Sequence, residues 1–421
     1  MSLRTPLVIV LIALSTQVWS QTAPKPKQTF EEALTQARTP LVLHDGSLSG
    51  PGAVVLNTAV QQSRFVMLGE SHMTREIPQF VAALCDVMHP DAYAVEAGPS
   101  AAHFVNGLLN KPNRLEIMAE RSKAYPNNMA FLDVREENDL AAHCAASSHN
   151  PHFAVWGLDQ EFLGSASTLL AAMAASNPGP QSRAAITAAQ VKDRSAEVEA
   201  RRTGDFGRLF LLSATDADVQ QLQTAIDKDG QPETRDLLHE FSASHRIYHL
   251  NGEGSPDSNL ERAELLKQHF LADYIPFKRQ NPAPRIFFKL GDNHTGKGFN
   301  YTHELNLGNF IAELAAGEQT QSLHIFVLGA RGKSYTANGY GNPLGQEPFV
   351  ITDDPDYKWL APAVADLLPQ QTGADGTTLT LFDLRQLRYR GLTLSREWEH
   401  VIYSYDICIL MPELTVGSLI E

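Results

Sequence analysis

Seven short apolar runs, rich in β-branched and aromatic residues, punctuate the chain, and each stops at a polar cluster. They are RFVML (Arg64–Leu68), AYAVE (Ala92–Glu96), HFAVWGLD (His152–Asp159), RIFFKL (Arg285–Leu290), LHIFVL (Leu323–Leu328), TLTLF (Thr378–Phe382) and HVIYSYDICIL (His400–Leu410). Their apolarity is continuous rather than alternating, as strands buried on both faces require. Helical spacing fills the gaps between the first three, at Pro78–Met88 and Ser100–Leu109. Strand, helix, strand in that order predicts the α/β class, with a largely parallel central sheet flanked by helices.

The middle of the chain reads differently. From about residue 165 to 277 the pattern is helical and rich in Ala, Glu, Arg and Gln, most clearly at Ala185–Arg202, Asp216–Asp227, Glu233–Leu250 and Ser258–Asp273. Ser258 with Glu261 three residues on is the capping-box pattern and predicts a helix start. This stretch reads as a helical subdomain inserted between two sheet strands, placed to roof a site. Gly329–Pro355, rich in Gly, Asn and Pro, reads as an extended surface loop. Residues 21–60 read as a linker and N-terminal segment before an α/β domain over 61–421.

The first twenty residues predict an export signal. Arg4 supplies a positive start, Leu7–Leu14 is an apolar run too short to span a bilayer, and Val18 and Ser20 occupy small-residue positions before Gln21. The expected location is therefore the periplasm or outside the cell, with no membrane insertion after cleavage. Without those residues, 33 basic side chains face 48 acidic ones, a net charge of −15. Such a chain repels nucleic acid and anionic membranes, so a small-molecule substrate is the expected partner. Cys85, Cys144 and Cys408 are widely separated and form no CxxC; an oxidising compartment would allow one bridge, but the pattern favours buried free thiols.

In an open parallel sheet, ligands bind beyond the carboxyl ends of the strands. Four runs deliver ionisable groups there. RFVML leads to Gly69-Glu70-Ser71-His72 and then Arg75-Glu76; AYAV ends in Glu96; FAVWGL ends in Asp159-Gln160-Glu161; and RIFFKL leads to Gly291-Asp292-Asn293-His294. His72, flanked by Glu70 and Glu76, suits a neutral imidazole oriented by a carboxylate, which is what a general base acting on water needs. Glu96 would hold that water or the imidazolium, and His294 would polarise a carbonyl or protonate the leaving group. Arg75 would pair with these carboxylates or stabilise an oxyanion, with Asp159 and Asp292 as supporting groups.

The blocks LGESHMTREIPQF, AYAVEAGPSAAHFVNGLL, VWGLDQEF, SNLERAELLKQHF, FFKLGDNHTGKG with LNLGNF, and LFDLRQL run in order from about Phe65 to Leu387. In that order they resemble the erythromycin-esterase-like family, within the wider superfamily of the ChaN haem-binding proteins and the Tiki metalloproteases. Two departures stand out. One residue rather than two separates Glu70 from His72, as in the ChaN pattern, and Asp292 replaces the first histidine of a His-Asn-x-His block. The resemblance implies a hydrolase of an ester or amide-like bond that requires no cofactor.

Two rival readings use the same side chains. Glu70, His72, Glu96 and His294 are also candidate ligands for Zn, Mn or Fe, as in a metal-dependent protease, and the ChaN resemblance implies haem or metal binding without turnover. A strand-end hydrogen-bond network without catalysis is the third.

Other motifs carry less. His245 and His249 share a helix face near His239 and Glu240 without the HExxH order, and read as solvated. Ser71 lacks the GxSxG nucleophile elbow, and neither Gly296–Gly298 nor Gly332–Ser334 has phosphate-loop spacing. His103 reads as a helix residue that packs or caps. Asp383 and Arg385 read as a structural ion pair.

Overall fold

The computed structural model describes residues 28–365, 376–388 and 390–420; the expected export signal and the stretch 21–27 lie outside them. Nine strands form one sheet: β1 (Arg38–His44), β2 (Ser47–Ser49), β3 (Phe65–Glu70), β4 (Ala92–Val95), β5 (Ala154–Gly157), β6 (Ile286–Gly291), β7 (Ser322–Gly329), β10 (Thr377–Asp383) and β11 (Ile407–Met411). Between β7 and β10, β8 (Arg331–Thr336) and β9 (Gly345–Val350) pair separately. The sheet order is β2-β1-β10-β11-β7-β3-β6-β4-β5. Every pairing from β11 to β5 is parallel, while β10–β11, β1–β10 and β1–β2 are antiparallel.

Period-two alternation divides the central strands between two cores. Val66, Leu68, Tyr93, Val95, Phe287, Ile325 and Val327 face one side and pack with Leu56, Phe80 and Leu140 from helices Pro51–Gln62, Glu76–Met88 and Arg135–Ser147. Phe65, Met67, Ala92, Ala94, Ile286, Phe288 and Leu290 face the other and meet Leu266, Phe270 and Ile311 from helices Asp257–Gln280 and Leu307–Gly317. Each such fully buried large side chain contributes about 1.5–3 kcal/mol. Register then sets the site: Glu70 pairs with Gly291 and Val95 with Lys289, so β3, β6 and β4 end almost level.

Between β5 and β6 every described element is helical, including Ala166–Ala175, Pro180–Thr203, Asp216–Asp229, Pro232–Gly252 and Asp257–Gln280. Several details differ from expectation. Ser258 does not cap: the helix starts at Asp257, the Ser258 hydroxyl donates to the Ser255 carbonyl, and Glu261 pairs with Arg246 at 2.6 Å. The expected surface loop within 329–355 holds the β8–β9 hairpin, because Arg331–Thr336 and Gly345–Val350 satisfy each other's backbone groups. His400–Leu410 is not one strand. Helix Arg396–Ser404, capped by the Ser395 hydroxyl on the Trp398 N–H, ends there before β11 begins at Ile407. Residues 30–62, in the expected N-terminal segment, supply two helices and the β1–β2 hairpin.

The cysteine expectation is also corrected. Cys85 and Cys144 form a disulfide joining helices Glu76–Met88 and Arg135–Ser147, and only Cys408 is a buried free thiol. The two helices pack side by side, so a sequence separation of 59 residues closes in space. Asp383 and Arg385 do pair, at 2.7 Å. No helix among the described residues is long and apolar enough to cross a membrane.

Candidate active site

Glu70, the last residue of β3, follows Val66 and Leu68 onto the same sheet face and is almost wholly buried, 1% of its side chain being exposed. Its Oε1 accepts from the Lys289 ammonium and lies 3.1 Å from His72 Nδ1; Oε2 is buried without a partner. Burial alone would raise this carboxyl, but Lys289 and then His72 outweigh it and hold the pKa below its ordinary value.

His72 sits in the turn after β3, with 24% of its side chain exposed and its ring stacked on Phe131 (centroids 3.9 Å apart, planes at 10°). Nδ1 faces Glu70 at 3.1 Å and Nε2 faces Glu96 Oε2 at 3.2 Å. A ring with a carboxylate at each nitrogen donates from both, so it is an imidazolium. Burial opposes the charge, but Glu96 and Glu70 more than offset this and raise the pKa to about 10. The neutral imidazole expected from sequence is therefore corrected: the second carboxylate comes from β4, which local sequence does not reveal.

Glu96 is the hub. Its Oε2 also accepts from the Gly291 N–H at 2.6 Å, while Oε1 accepts from Arg262 Nη2 at 2.8 Å and lies 3.4 Å from His294 Nε2. Burial would raise this carboxyl too, yet His294 and His72 hold it well below its usual range. On the far side of the His294 ring, Nδ1 lies 3.2 Å from Asn306 Oδ1, which also accepts from the Leu307 N–H. Nδ1 is thus the donor, and Nε2 is the atom turned towards Glu96.

Asp159 holds Arg262, accepting from Nε at 2.8 Å, so it reaches Glu96 through that guanidinium. Asp292 follows Gly291; burial raises its carboxyl, and the nearby His72 charge pulls the other way. Glu76 and Arg75 do not join the group. Glu76 accepts from the Thr415 N–H at 2.7 Å, tying the C-terminal segment to the start of helix Glu76–Met88, and Arg75 pairs at 3.2 Å with Glu136 of helix Arg135–Ser147. The turn at 71–74 carries His72 inward while the following helix turns these two side chains away.

Sequence reasoning missed Arg262, Lys289, Glu137, Phe131 and Asn306. Lys289 gave a signal, being one cation inside an apolar strand, a place where charge must be paired. Arg262 lies in a polar helical stretch, and only its place in the SNLERAELLKQHF block marked it.

Asp292 and Asn293 also line a cleft of about 770 Å³ with Tyr301, Tyr357, Trp359 and Glu397. The cleft therefore opens beside the residue whose N–H holds Glu96.

A divalent metal does not fit these residues. Both nitrogens of His72 are directed at carboxylates, Nδ1 of His294 is on Asn306, and the Glu96 oxygens are occupied by four donors. Among the described residues no group of three His, Cys, Asp or Glu side chains is placed so that it could hold a metal ion. Elsewhere, His245 is buried with Nδ1 on the Leu211 carbonyl rather than solvated, whereas His249 pairs with Glu253 at 3.3 Å and His239 and His103 are exposed.

The sequence matches no family model and no curated protein. Solved structures do share its architecture. A mutant of the erythromycin esterase EreC in its open conformation superposes with a TM-score of 0.57 at 14% identity, over 87% of this chain and 95% of that one. A Bacillus cereus protein gives 0.55 at 12%, over 91% and 97%, and a succinoglycan biosynthesis protein 0.55 at 12%, over 92% and 97%. The resemblance read from the sequence blocks is thus met in three dimensions: the chain has the fold of erythromycin esterase.

Proposed function

We propose that this chain is an exported hydrolase that activates water with a Glu/His site and cleaves an ester or amide-like bond of a small molecule held in the 770 Å³ cleft. The observation that carries the reading is the bridge made by Glu96, 3.2 Å from His72 Nε2 and 3.4 Å from His294 Nε2. Two histidines from beyond the ends of different strands meet on one carboxylate, with Asp292 and Asn293 next to His294 lining the cleft, and provide an acid and a base together.

The roles differ from those suggested by sequence. His72 is already protonated, so it serves as the acid: it stabilises charge growing on the carbonyl oxygen and protonates the leaving group. With Nδ1 fixed on Asn306 and Nε2 donating to Glu96, His294 takes the water proton as its own Nε2 proton passes to Glu96, which Arg262 braces. The similarity to an erythromycin esterase supports hydrolysis as the reaction class. The Cys85–Cys144 disulfide supports export, because such bonds persist in oxidising compartments.

The test is hydrolysis of a panel of acyl esters, lactones and amides by wild type, His72→Ala and His294→Ala, with bound metal and haem assayed alongside. Loss of either histidine should lower turnover by about two to four orders of magnitude. A wild type silent across the panel, with haem uptake dependent on His72, would replace this reading with a binding protein.

A further inference from the structure

Lys289 stands in the middle of the most buried part of the sheet, 3% exposed, between Phe288 and Leu290 of β6. Alternation points it to the same face as Phe287, Val66 and Leu68. An ammonium in such a place carries a desolvation penalty that apolar packing does not return. Its partners are two carboxylates from different elements: Glu70 at the end of β3, and Glu137 on helix Arg135–Ser147, whose Oε1 accepts at 2.6 Å. The Glu137 side chain is only 5% exposed.

The contacts run on without a break. Lys289 Nζ meets Glu70 Oε1, that same oxygen lies 3.1 Å from His72 Nδ1, and His72 Nε2 lies 3.2 Å from Glu96. Among the described residues Glu70 Oε2 has no hydrogen-bond partner, and Lys289 below and His72 above fix the carboxylate. The other ionisable groups around it are Glu137 and the Tyr93 hydroxyl, which is buried and has no hydrogen bond. An ionised Glu137 disfavours a charged Glu70 and Lys289 opposes it, while the Tyr93 hydroxyl stays neutral.

We propose that Lys289 is a positioning residue of the site: its ammonium holds Glu70 ionised and fixed, and through Glu70 it sets the His72 ring against Glu96. The proposal rests on the hydrolase reading. A purely structural ion pair is the alternative, and buried pairs replaced by apolar side chains are often neutral or stabilising. The two accounts therefore differ in what happens to Glu70 and His72, not in stability.

The experiment uses the full chain as Lys289→Met and as Lys289→Met with Glu137→Gln, which removes one charge of each sign and supplies a folded protein where the single variant unfolds. Carboxyl and imidazole NMR titrations follow Glu70 and His72, and kcat and KM are measured on an ester that wild type cleaves. In both variants the Glu70 carboxyl should titrate at least one pH unit higher. The kcat should fall about tenfold to a hundredfold, with KM within threefold, as expected when orientation rather than binding is lost. A folded variant whose Glu70 titrates as in wild type, or whose kcat changes less than threefold, overturns the proposal while leaving the hydrolase reading in place. A wild type that cleaves nothing removes the hydrolase reading, and the two titrations still decide whether Lys289 sets Glu70 and His72.

Discussion

Glu96 Oε2 lies 3.2 Å from His72 Nε2, and the Cα of Gly291 looks directly onto the pair. A Cβ at position 291 would stand 2.8 Å from Nε2 and 3.2 Å from Oε2. The residue has φ −57°, which alanine adopts freely, so Gly291→Ala adds no backbone strain. Its whole effect falls on the histidine–carboxylate contact. Turnover should drop by more than tenfold while the urea midpoint shifts little; an unfolded variant, or one with wild-type turnover, would contradict this geometry.

Stability should decline as the medium becomes alkaline. His72 has a folded pKa of about 10 against an ordinary 6.5, so its contribution is complete below about pH 6.5 and is lost as pH rises through 10. Glu137 and Glu161 are raised from 4.5 to about 7 and Asp133 from 3.8 to about 7, in each case first by burial. Their contributions are complete below pH 4 and are lost as pH rises through 7. Glu70 and Glu96, held low by their cations, act in the opposite sense and lose their contribution only as pH falls below about 4.5. Melting temperature should therefore peak in mild acid and fall from pH 6 to 10. In Glu161→Gln the fall near pH 7 should be smaller; an unchanged profile would remove Glu161 from the account.

Arg262 is the cation between two buried carboxylates, at 2.8 Å from Glu96 and 2.8 Å from Asp159. Arg262→Met takes the cation from buried Asp159 and one of the donors from Glu96, and should cost about 3–5 kcal/mol in urea unfolding, the usual result of breaking a buried pair from one side. Arg262→Met with Asp159→Asn removes one charge of each sign and should recover part of that loss. A double variant no more stable than the single one would show that the two residues are not coupled.

The strand-end logic found Glu70, His72, Glu96 and His294 because a parallel sheet gathers strand termini on one edge, and that edge is written in the sequence as a polar residue after an apolar run. It failed for Glu76 and Arg75, which lie only a few residues past His72 but across a turn that faces the C-terminal segment. Continuity of apolar residues also failed at His400–Leu410: buried helix and buried strand look alike without periodicity, and only the polar pair Ser404 and Asp406 marks the change. The protonation of His72 was illegible for a different reason. It depends on two carboxylates arriving together, and one of them is 24 positions away on another strand.

The division of labour between the histidines has its own signature. If imidazolium His72 donates the proton that releases the alcohol, its importance must depend on how much that alcohol needs one. A nitrophenolate leaves unaided, whereas an alkoxide does not, so general-acid help is worth far more for alkyl esters. His72→Ala should thus lower kcat/KM on an alkyl ester by about 10³-fold and on the matching nitrophenyl ester by roughly tenfold to thirtyfold less. His294→Ala removes the group that takes the water proton, a step common to both esters, and should lower the two rates by similar factors. His72→Gln, which keeps a hydrogen-bond donor but cannot release a proton at neutral pH, should restore nitrophenyl cleavage more than alkyl cleavage. Equal losses on both esters for His72→Ala, with unequal losses for His294→Ala, would exchange the two roles and return His72 to the part of the base.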